Sequence, residues 1–417
     1  MTRPQFIDLS ETKWEFEVLT ADQLLEELLK RAREQTQAEP VPTELCLGRI
    51  LARPQVSMIS VPPLDNSAMD GYAVRAAECL PGAALSVTQR IAAGQVGEAL
   101  AINSLARIFT GAPIPLGADA VVMQEDCFQD GDKVQINRQP GPGEHIRRAG
   151  EDIRPGDIIL PAGTRLGAAE MGLAASVGLA ELPVYRRLKV ASFSTGDELV
   201  QPGAALAAGK IYNSNRYTLA GLVQGLGCEW LDLGSVPDTL TATLDALQHA
   251  AAIADVVITS GGVSVGEEDH VKAAVEQLGK IEMWKVAMKP GKPLVYGRVH
   301  EADFIGLPGN PVSTLVTFAL FARPFLLRRM GVMEVLPKTY RVQAAFEWIK
   351  PGQRREFLRA RLTTGEAGAM QAELFPNQSS GVLISAVWAD GLVDIDIDHT
   401  VTRGELVRFI PFSEVLG

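Results

Sequence analysis

A short stretch of glycines, hydroxyl side chains and carboxylates has the composition of a site for an anion and a cation. It runs from Ala254 to His270 and reads ADVVITSGGVSVGEEDH. Gly261 and Gly262 let the backbone turn tightly and approach a ligand closely. Backbone N–H groups there can hold an anion, and the three carboxylates at 267–269 can hold a divalent cation. The alternative is an ordinary strand-to-helix turn with solvated acids, because a glycine-rich loop alone is a weak signal. The loop also carries two small hydroxyl groups, Ser260 and Ser264.

A second segment combines lysine side chains with prolines that fix the backbone around them. It runs from Trp284 to Gly297 and reads WKVAMKPGKPLVYG. Lys289 and Lys292 flank a Pro-Gly turn, so both ammonium groups can point at one anion. Because rigid cations lose less entropy on binding than flexible ones, we favour an oxyanion or phosphate site over solvated lysines. The segment also contains Lys285 and Pro293.

A helix start follows the lysine segment in the pattern GLPGNPVS. Asn310 is a typical N-cap, and Pro311 is a typical first helical residue. The N-terminus of a helix attracts anions, and Ser313 lies in the first turn. The pattern therefore predicts either a well-formed helix cap or a further anion-binding position.

Polar loops in the first half of the chain leave two interpretations open. The segment VPPLDNSAMDGYAV places Asp65 and Asp70 behind two prolines, which suits an Asx-rich turn or a polar loop brought to a ligand. Arg147 and Asp152 lie in a segment typical of a surface salt-bridge cluster or of a phosphate clamp. Thr110 lies in FTGAPIP, for which turn formation is the simpler interpretation.

The composition of the chain excludes several classes of protein. Its 417 residues exceed one ordinary core, so we expect about two to four domains. A net charge of −11 argues against general nucleic-acid binding, which needs a basic surface. The four cysteines have neither zinc-site nor disulfide-framework spacing. The first ten residues lack a signal-peptide core and no apolar run could span a bilayer, so we expect a soluble cytoplasmic protein.

The elements that must position these residues change in character along the chain. Between residues 188 and 335, strands alternate with helices, which predicts a parallel sheet with right-handed crossovers. Every loop that follows a strand then lies at one edge, which would bring Glu198, Asp238 and the 260–269 loop together. Residues 56–145 are mostly short strands. After Val335 no helix is predicted, which favours a small β-barrel. Its predicted strands are 341–349, 356–362, 370–374, 382–387 and 393–398.

Seven motifs, taken together and in this order, resemble the MoeA family, the molybdopterin molybdenumtransferases. They are PLDNSAMDGYAV, FTGAPIP with VVMQED, IRRAGEDI, FSTGDEL, SGGVSVGEEDH, WKVAMKPGKP and GLPGNPVS. The resemblance implies an L-shaped homodimer of multidomain subunits, in which the α/β domain resembles the molybdopterin adenylyltransferases. The implied division has a helical segment of an extended domain I at 1–55, a mostly β domain II at 56–145, a return segment of domain I at 146–185, an α/β catalytic domain III at 186–334 and a β-barrel domain IV at 335–417.

For function, the resemblance implies a transferase of molybdenum cofactor biosynthesis. Adenylylated molybdopterin and molybdate are the substrates, molybdenum cofactor and AMP are the products, and Mg²⁺ assists. Cleavage of a pyrophosphate needs a hard cation, which carboxylates and water hold. By resemblance, this metal is bound by Asp238, Asp269 and Glu198. The same three residues, with Asp65 and Asp70, are the implied catalytic set.

The resemblance also implies which residues bind the substrates. Molybdate is a small dianion, and the matching positions are Lys289, Lys292, Ser313, Arg359 and Ser380. The other implied substrate-binding residues in the second half of the chain are Ser260, Gly261, Gly262, Ser264, Lys285 and Pro293. Thr110, Arg147 and Asp152, with Asp65 and Asp70, would complete the cleft from the second subunit. His270 departs from the family, which more often carries Tyr there, and this puts only a neighbouring contact in doubt.

Two other functions remain open. An adenylyltransferase that makes the adenylylated pterin would share the α/β domain, but it would give no purpose to residues 1–185 or to the last β domain. A non-catalytic scaffold is the second alternative, since relatives such as gephyrin anchor receptors. A scaffold has no need of Asp238, Asp269 and Lys292 together. Implied partners are a molybdopterin adenylyltransferase and apo-molybdoenzymes, in transient contact, and neither nucleic acid nor membrane.

Overall fold

The computed structural model describes residues 18–262, 270–365 and 368–416. The described chain divides into two compact units. The larger unit takes its residues from 1–39, 48–50 and 185–417, and the smaller unit takes 40–47 and 51–184. The predicted candidate residues from Glu198 onward therefore belong to the larger unit, and Asp65 to Asp152 belong to the smaller one. The finer predicted division into five segments stays a prediction.

A mixed seven-stranded sheet forms the centre of the larger unit. One of its inner strands, Val256–Ser260, is wholly buried, which explains the continuous apolar run in its sequence. Val256 and Ile258 pack into the core on one face of the sheet, and Val257 packs into the core on the other. The strand order across the sheet is Val18–Leu19, Gly279–Val286, Pro293–Val299, Ala302–Leu307, Val256–Ser260, Lys189–Thr195 and Glu229–Val236.

The sheet is parallel in its middle, as the sequence predicts, but the strand Pro293–Val299 runs antiparallel to both of its neighbours. The reason is the length of its connections. Only a few residues separate it from Gly279–Val286 and from Ala302–Leu307, which is too few for a crossover helix. Because this strand starts where its predecessor ends, the lysine loop between them lies at the carboxyl edge of the parallel strands.

Helices cover both faces of this sheet. The first, Ala21–Arg31, begins with a capping box between Thr20 and Gln23, and its Leu24 and Leu28 are fully buried. The others in the larger unit are Ser214–Gly225, Leu240–Ile253, His270–Leu278, Pro311–Thr317, Arg323–Arg329, Ile384–Trp388 and Phe412–Val415, with a π-helical turn at Phe318–Ala322. Two short strands, Leu199–Val200 and Ile211–Tyr212, pair beside the sheet. Within the described part of the chain, no helix is both long and apolar enough to cross a membrane.

The last part of the larger unit is a closed five-stranded β-barrel, which confirms the predicted barrel. In order around the barrel, its strands are Arg355–Thr364, Met370–Leu374, Tyr340–Ala344, Leu406–Pro411 and Gly391–Ile395, and the last pairs with the first. One predicted strand is wrong, because residues 384–388 form the short helix Ile384–Trp388. The barrel also pairs with Met288–Lys289 of the lysine loop, in parallel with Arg355 and Glu356.

The smaller unit is mostly β, in agreement with the prediction for residues 56–145. Its six-stranded sheet has the order Ala120–Met123, Gly71–Val74, Ser104–Ile108, Ala84–Ile91, Lys133–Ile136 and Cys127–Asp130. Two-stranded pairs join Asn66–Ser67 to Ile146–Arg147 and Gln55–Val56 to Ile158–Leu160. The strands Ala38–Pro42 and Glu181–Tyr185, most of whose residues belong to this unit, also pair. The remaining elements are the helix Ala168–Ser176 and 3₁₀ turns at Thr43–Leu45, Ala76–Glu78 and Gln124–Asp126.

Candidate active site

A cavity of about 650 Å³ lies at the carboxyl edge of the parallel strands, where the sheet meets the barrel. Four loop segments from distant parts of the sequence line it. They are Gly261 and Gly262, residues 289–293, residues 308–310 with Ser313, and a barrel contribution of Arg354, Gln378, Ser379 and Ser380. The predicted residues Gly261, Gly262, Lys289, Lys292, Pro293, Ser313 and Ser380 therefore lie around one space.

The lysine loop is held from three sides. Its two ends are joined by a hydrogen bond from the Val286 N–H to the Lys292 carbonyl at 2.8 Å. The Arg355 N–H donates to the Ala287 carbonyl at 2.9 Å, which ties the loop to the barrel. Gly291 has a φ of +99°, and a Cβ placed there would lie 2.3 Å from the Thr317 hydroxyl oxygen. Only glycine suits that position, so the loop packs directly on the helix Pro311–Thr317.

The two lysines of this loop have different surroundings. The Lys289 ammonium group lies 3.2 Å from the carboxylate of Glu356, whose side chain is only 8% exposed. Lys292 is exposed, and none of the described residues forms an ion pair with it. Lys289 therefore has a fixed counter-ion, whereas Lys292 can meet an incoming anion. Lys285 lies in the strand Gly279–Val286, half-buried, and does not line the cavity.

A buried guanidinium group, that of Arg359, contacts the barrel loop that lines the cavity, although it does not line the cavity itself. Arg359 is fully buried, and it donates hydrogen bonds to the Ser385 hydroxyl at 3.0 Å and to the Ser379 carbonyl at 3.1 Å. Among the described residues, its Nη1 has no hydrogen-bond partner and no carboxylate pairs with it. Burial lowers the pKa of Arg359 to about 10, so the group stays charged at neutral pH. An uncompensated buried cation is costly, which favours a bound anion here.

The helix Pro311–Thr317 brings its first turn to the same place. The Val312 N–H donates to the Ser380 carbonyl at 2.9 Å, so the barrel loop and the helix N-terminus are joined directly. Ser313 lies in that first turn and is buried to 4% exposure. Asn310 occupies the N-cap position, as predicted, but its side chain makes no capping hydrogen bond. The arrangement supplies hydroxyl and N–H donors to an anion.

A second cavity of about 350 Å³ shares Gly261, Gly309 and Asn310 with the first. Two further predicted residues, Glu198 and Ser260, line it. Glu198 is exposed, and the Asn215 side chain on the opposite wall donates to the Gly309 carbonyl at 2.7 Å. The two cavities are therefore adjacent, and together they offer space for a substrate larger than an oxyanion.

The predicted metal carboxylates are only partly within the described structure. Asp269 and Ser264 lie outside the described residues. Asp238 is exposed and follows the edge strand Glu229–Val236, so it shares the carboxyl edge with the lysine loop. Three strands separate the two, which corresponds to about 19 Å at normal strand spacing. Asp238 lines neither cavity, and within the described residues no three acidic, His or Cys side chains gather as a metal site.

In the smaller unit, the two predicted aspartates are held by hydrogen bonds from residues distant in the sequence. Asp70 accepts from the N–H and the hydroxyl of Thr110, at 2.8 and 2.9 Å, and the backbone bond is the main cause of its lowered pKa. Asp65 accepts from the Ala149 N–H at 2.8 Å, which chiefly lowers its pKa, and pairs with Arg148 at 2.6 Å. The sequence singled out the neighbouring Arg147 and Asp152, which are both exposed.

Three residues at the cavity were not singled out from the sequence. Arg354 and Gln378 line it, and Glu356 pairs with Lys289. The only signal for them was their place in the predicted barrel, close to Arg359 and Ser380. Their role depends on the pairing of Met288–Lys289 with the barrel, which no local pattern indicates.

Three family models match nearly the whole chain in succession. They are the MoeA N-terminal region (domain I and II) at 19–178, a probable molybdopterin binding domain at 191–328 and the MoeA C-terminal region (domain IV) at 341–412. These matches confirm the resemblance predicted from the seven motifs.

Named relatives and solved structures agree with these models. The molybdopterin molybdenumtransferase of Haemophilus influenzae is 40% identical over 404 residues, which cover 96% of this chain and 100% of the relative. The enzyme of the same name from Nostoc sp. is 38% identical, with 89% and 88% covered. A crystal structure of the molybdopterin biosynthesis MoeA protein from Pyrococcus horikoshii has a TM-score of 0.81 at 28% identity, with 95% and 100% covered. The chain belongs to the MoeA family.

Proposed function

We propose that this protein inserts molybdenum from molybdate into adenylylated molybdopterin and releases AMP. The observation that carries the proposal is the cavity between sheet and barrel, with the buried guanidinium of Arg359 bonded to its lining residue Ser379 and without a carboxylate partner among the described residues. Molybdate is a small dianion, and a desolvated cation surrounded by hydroxyl and N–H donors suits it. The names of the curated relatives support the same reaction.

Each residue of the cavity has a simple role in this reaction. Lys292, exposed and without a counter-ion in the described structure, attracts and holds molybdate oxygens. Ser313 and Ser380 donate hydrogen bonds from the helix and the barrel, and Arg359 supplies charge from below. Lys289, fixed by Glu356, orients the oxyanion rather than capturing it. The pterin and nucleotide lie along the connected cleft past Gly261, Gly262 and Ser260.

The proposed magnesium site uses carboxylates of the same edge of the sheet. Glu198 lines the cleft and Asp238 is exposed, and neither has a cation partner among the described residues, so both offer hard oxygen ligands. We place Asp269 with them by resemblance. When bound, Mg²⁺ neutralises oxygens of the pyrophosphate that is cleaved. The carboxylates hold and orient the ion.

The proposed assembly is a homodimer in the cytoplasm. In it, Asp65, Asp70, Thr110, Arg147 and Asp152 of a second copy complete the cleft. The hydrogen bonds that hold Asp65 and Asp70 in the smaller unit support this proposal, because they fix two ionised carboxylates on ordered loops. Transient contact with a molybdopterin adenylyltransferase and with apo-molybdoenzymes follows from the substrate and the product.

Incubation of the purified protein with adenylylated molybdopterin and Mg²⁺, with and without molybdate, tests the proposal. AMP release that depends on molybdate is the expected result. Release of pyrophosphate from ATP in the presence of molybdopterin would instead indicate an adenylyltransferase. If neither product forms, the proposal is wrong and a scaffold is the better interpretation.

A further inference from the structure

One arginine at the cavity has no role in the arrangement described so far. Arg354 lines the cavity next to the lysine loop, and its side chain is exposed. Within residues 18–262, 270–365 and 368–416, no hydrogen bond or ion pair to its guanidinium group is present. A cation beside other cations, without a carboxylate to balance it, is an open position for an anion.

We propose that Arg354 binds a phosphate group of the nucleotide-bearing substrate at the opening of the cavity, while molybdate occupies its floor. The inference rests on the proposed function, because the phosphate is that of the proposed substrate. The cavity then has two anion positions, and Arg354 selects a phosphorylated ligand at the second.

The backbone around Arg354 gives it a fixed place. The next residue, Arg355, is tied by its N–H to the Ala287 carbonyl at the start of the lysine loop. The Arg355 side chain turns to the other side, where two of its nitrogens pair with Asp394 at 2.7 Å. Arg355 therefore stabilises the barrel, and Arg354, one residue earlier, lies on the cavity side.

The charges of the cavity exceed what one molybdate balances. Lys289, Lys292 and Arg354 line it, Arg359 is bonded to its lining residue Ser379, and the lining contains no carboxylate in the described part of the chain. Glu356 pairs with one of these cations, Lys289. Among the described residues, a molybdate dianion therefore leaves one positive charge unbalanced, and a phosphate group compensates it.

The size of the cavity also exceeds one oxyanion. A tetrahedral oxyanion takes up about four water volumes, or roughly 120 Å³. The cavity of about 650 Å³ therefore has room for a second group of the same kind. Burial separates the two positions, since Arg359 is fully buried whereas Arg354 is exposed. The desolvated floor suits the small oxyanion, and the planar guanidinium at the opening suits two phosphate oxygens.

Calorimetric titration of the full-length protein with two probes, inorganic pyrophosphate and molybdate, tests the proposal. We expect Arg354→Ala to weaken pyrophosphate binding by at least about tenfold and to change molybdate binding less than about twofold. Pyrophosphate should also bind to protein that is already saturated with molybdate. Lys350→Ala is the matched control, because Lys350 is an exposed cation of the same region that does not line the cavity.

Two results would overturn the proposal. One is unchanged pyrophosphate binding in the Arg354 variant, and the other is competition between pyrophosphate and molybdate for one position. Neither result depends on turnover, so both are distinguishable from failure of the proposed function. That failure would show as absent AMP release by the unmodified protein.

Discussion

At the scale of single residues, the candidate site depends on a cation that the fold leaves unpaired. Arg359 lies in the barrel strand Arg355–Thr364, fully buried, with hydroxyl and carbonyl partners but without a described carboxylate. Arg355, four residues earlier in the same strand, is also largely buried but pairs with Asp394. Arg355 therefore stabilises the fold through its ion pair, whereas Arg359 keeps a buried positive charge that can bind an anion.

Replacing Arg359 with methionine should therefore stabilise the free protein and abolish its response to molybdate. Removal of an uncompensated buried charge should raise the free energy of unfolding by on the order of 1–3 kcal/mol. Molybdate should raise the melting temperature of the unmodified protein but not that of the variant. Thermal unfolding with and without molybdate measures both effects.

Arg355→Met is the matched control for that experiment. It leaves the buried Asp394 with only its second partner, Arg408, and should lower the free energy of unfolding by about 1–3 kcal/mol. Loss of stability in the Arg359 variant together with a retained molybdate response would mean that Arg359 has a structural role only.

The Ala149 N–H and the Arg148 side chain lower the pKa of Asp65. A carboxyl group whose pKa is lowered in the folded protein stabilises the fold at pH values above its usual pKa of 3.8. That stabilisation is lost as the pH falls through the pKa of the folded state. Asp65→Asn should therefore lower the urea midpoint at pH 7 and have little effect near pH 3. Because the group is partly exposed, the difference should be small. An equal difference at both pH values would exclude this electrostatic cause.

At the scale of elements, the site is made by a loop that two neighbours hold in place. Gly291 supplies the left-handed backbone conformation and the close approach to Thr317, and Met288–Lys289 pairs with the barrel. The sequence predicted the strand ends that carry the loops, because alternating strands and helices place those ends at one edge. It did not predict the barrel pairing or the counter-ion Glu356, because long-range register leaves no local pattern.

The incorrect prediction of a strand at 382–387 has a similar cause. A short apolar run does not distinguish a strand from a helical turn by periodicity, and tertiary contacts decide between them. The helix Ile384–Trp388 forms there, and its Ser385 accepts a hydrogen bond from Arg359. The sequence likewise placed Asp238 at the correct edge but could not give the strand order, which separates it from the lysines.

Replacing Gly291 with alanine should weaken molybdate use without changing any charge. The added methyl group would collide with the Thr317 hydroxyl oxygen and displace both lysines. We expect the molybdate concentration for half-maximal AMP release to rise at least about tenfold. Gly203→Ala is the matched control, since Gly203 has a similar φ of +95° with nothing close to the added Cβ. Equal effects of the two substitutions would indicate backbone strain rather than collision.

At the scale of the whole molecule, we propose that residues of a second copy of the chain complete each cleft. Lys292 belongs to the larger unit and Asp65 to the smaller one. If two copies share each cleft, as we propose, a variant defective in one unit can be complemented by a variant defective in the other.

Coexpression of Lys292→Ala and Asp65→Ala chains, each inactive alone, should therefore restore activity. Random pairing makes about half of the dimers mixed, each with one intact cleft, so about a quarter of the normal rate is expected. AMP release by the purified mixture measures it. Mixed dimers that form but stay inactive would place the whole cleft within one chain.

The most direct measurement is anomalous diffraction at the molybdenum edge from crystals soaked in molybdate. We predict one strong peak in the cavity within reach of Lys292, Ser313 and Ser380, above the buried Arg359. A peak elsewhere, or an empty cavity in crystals that bind molybdate, would contradict the assignment of this space to the oxyanion.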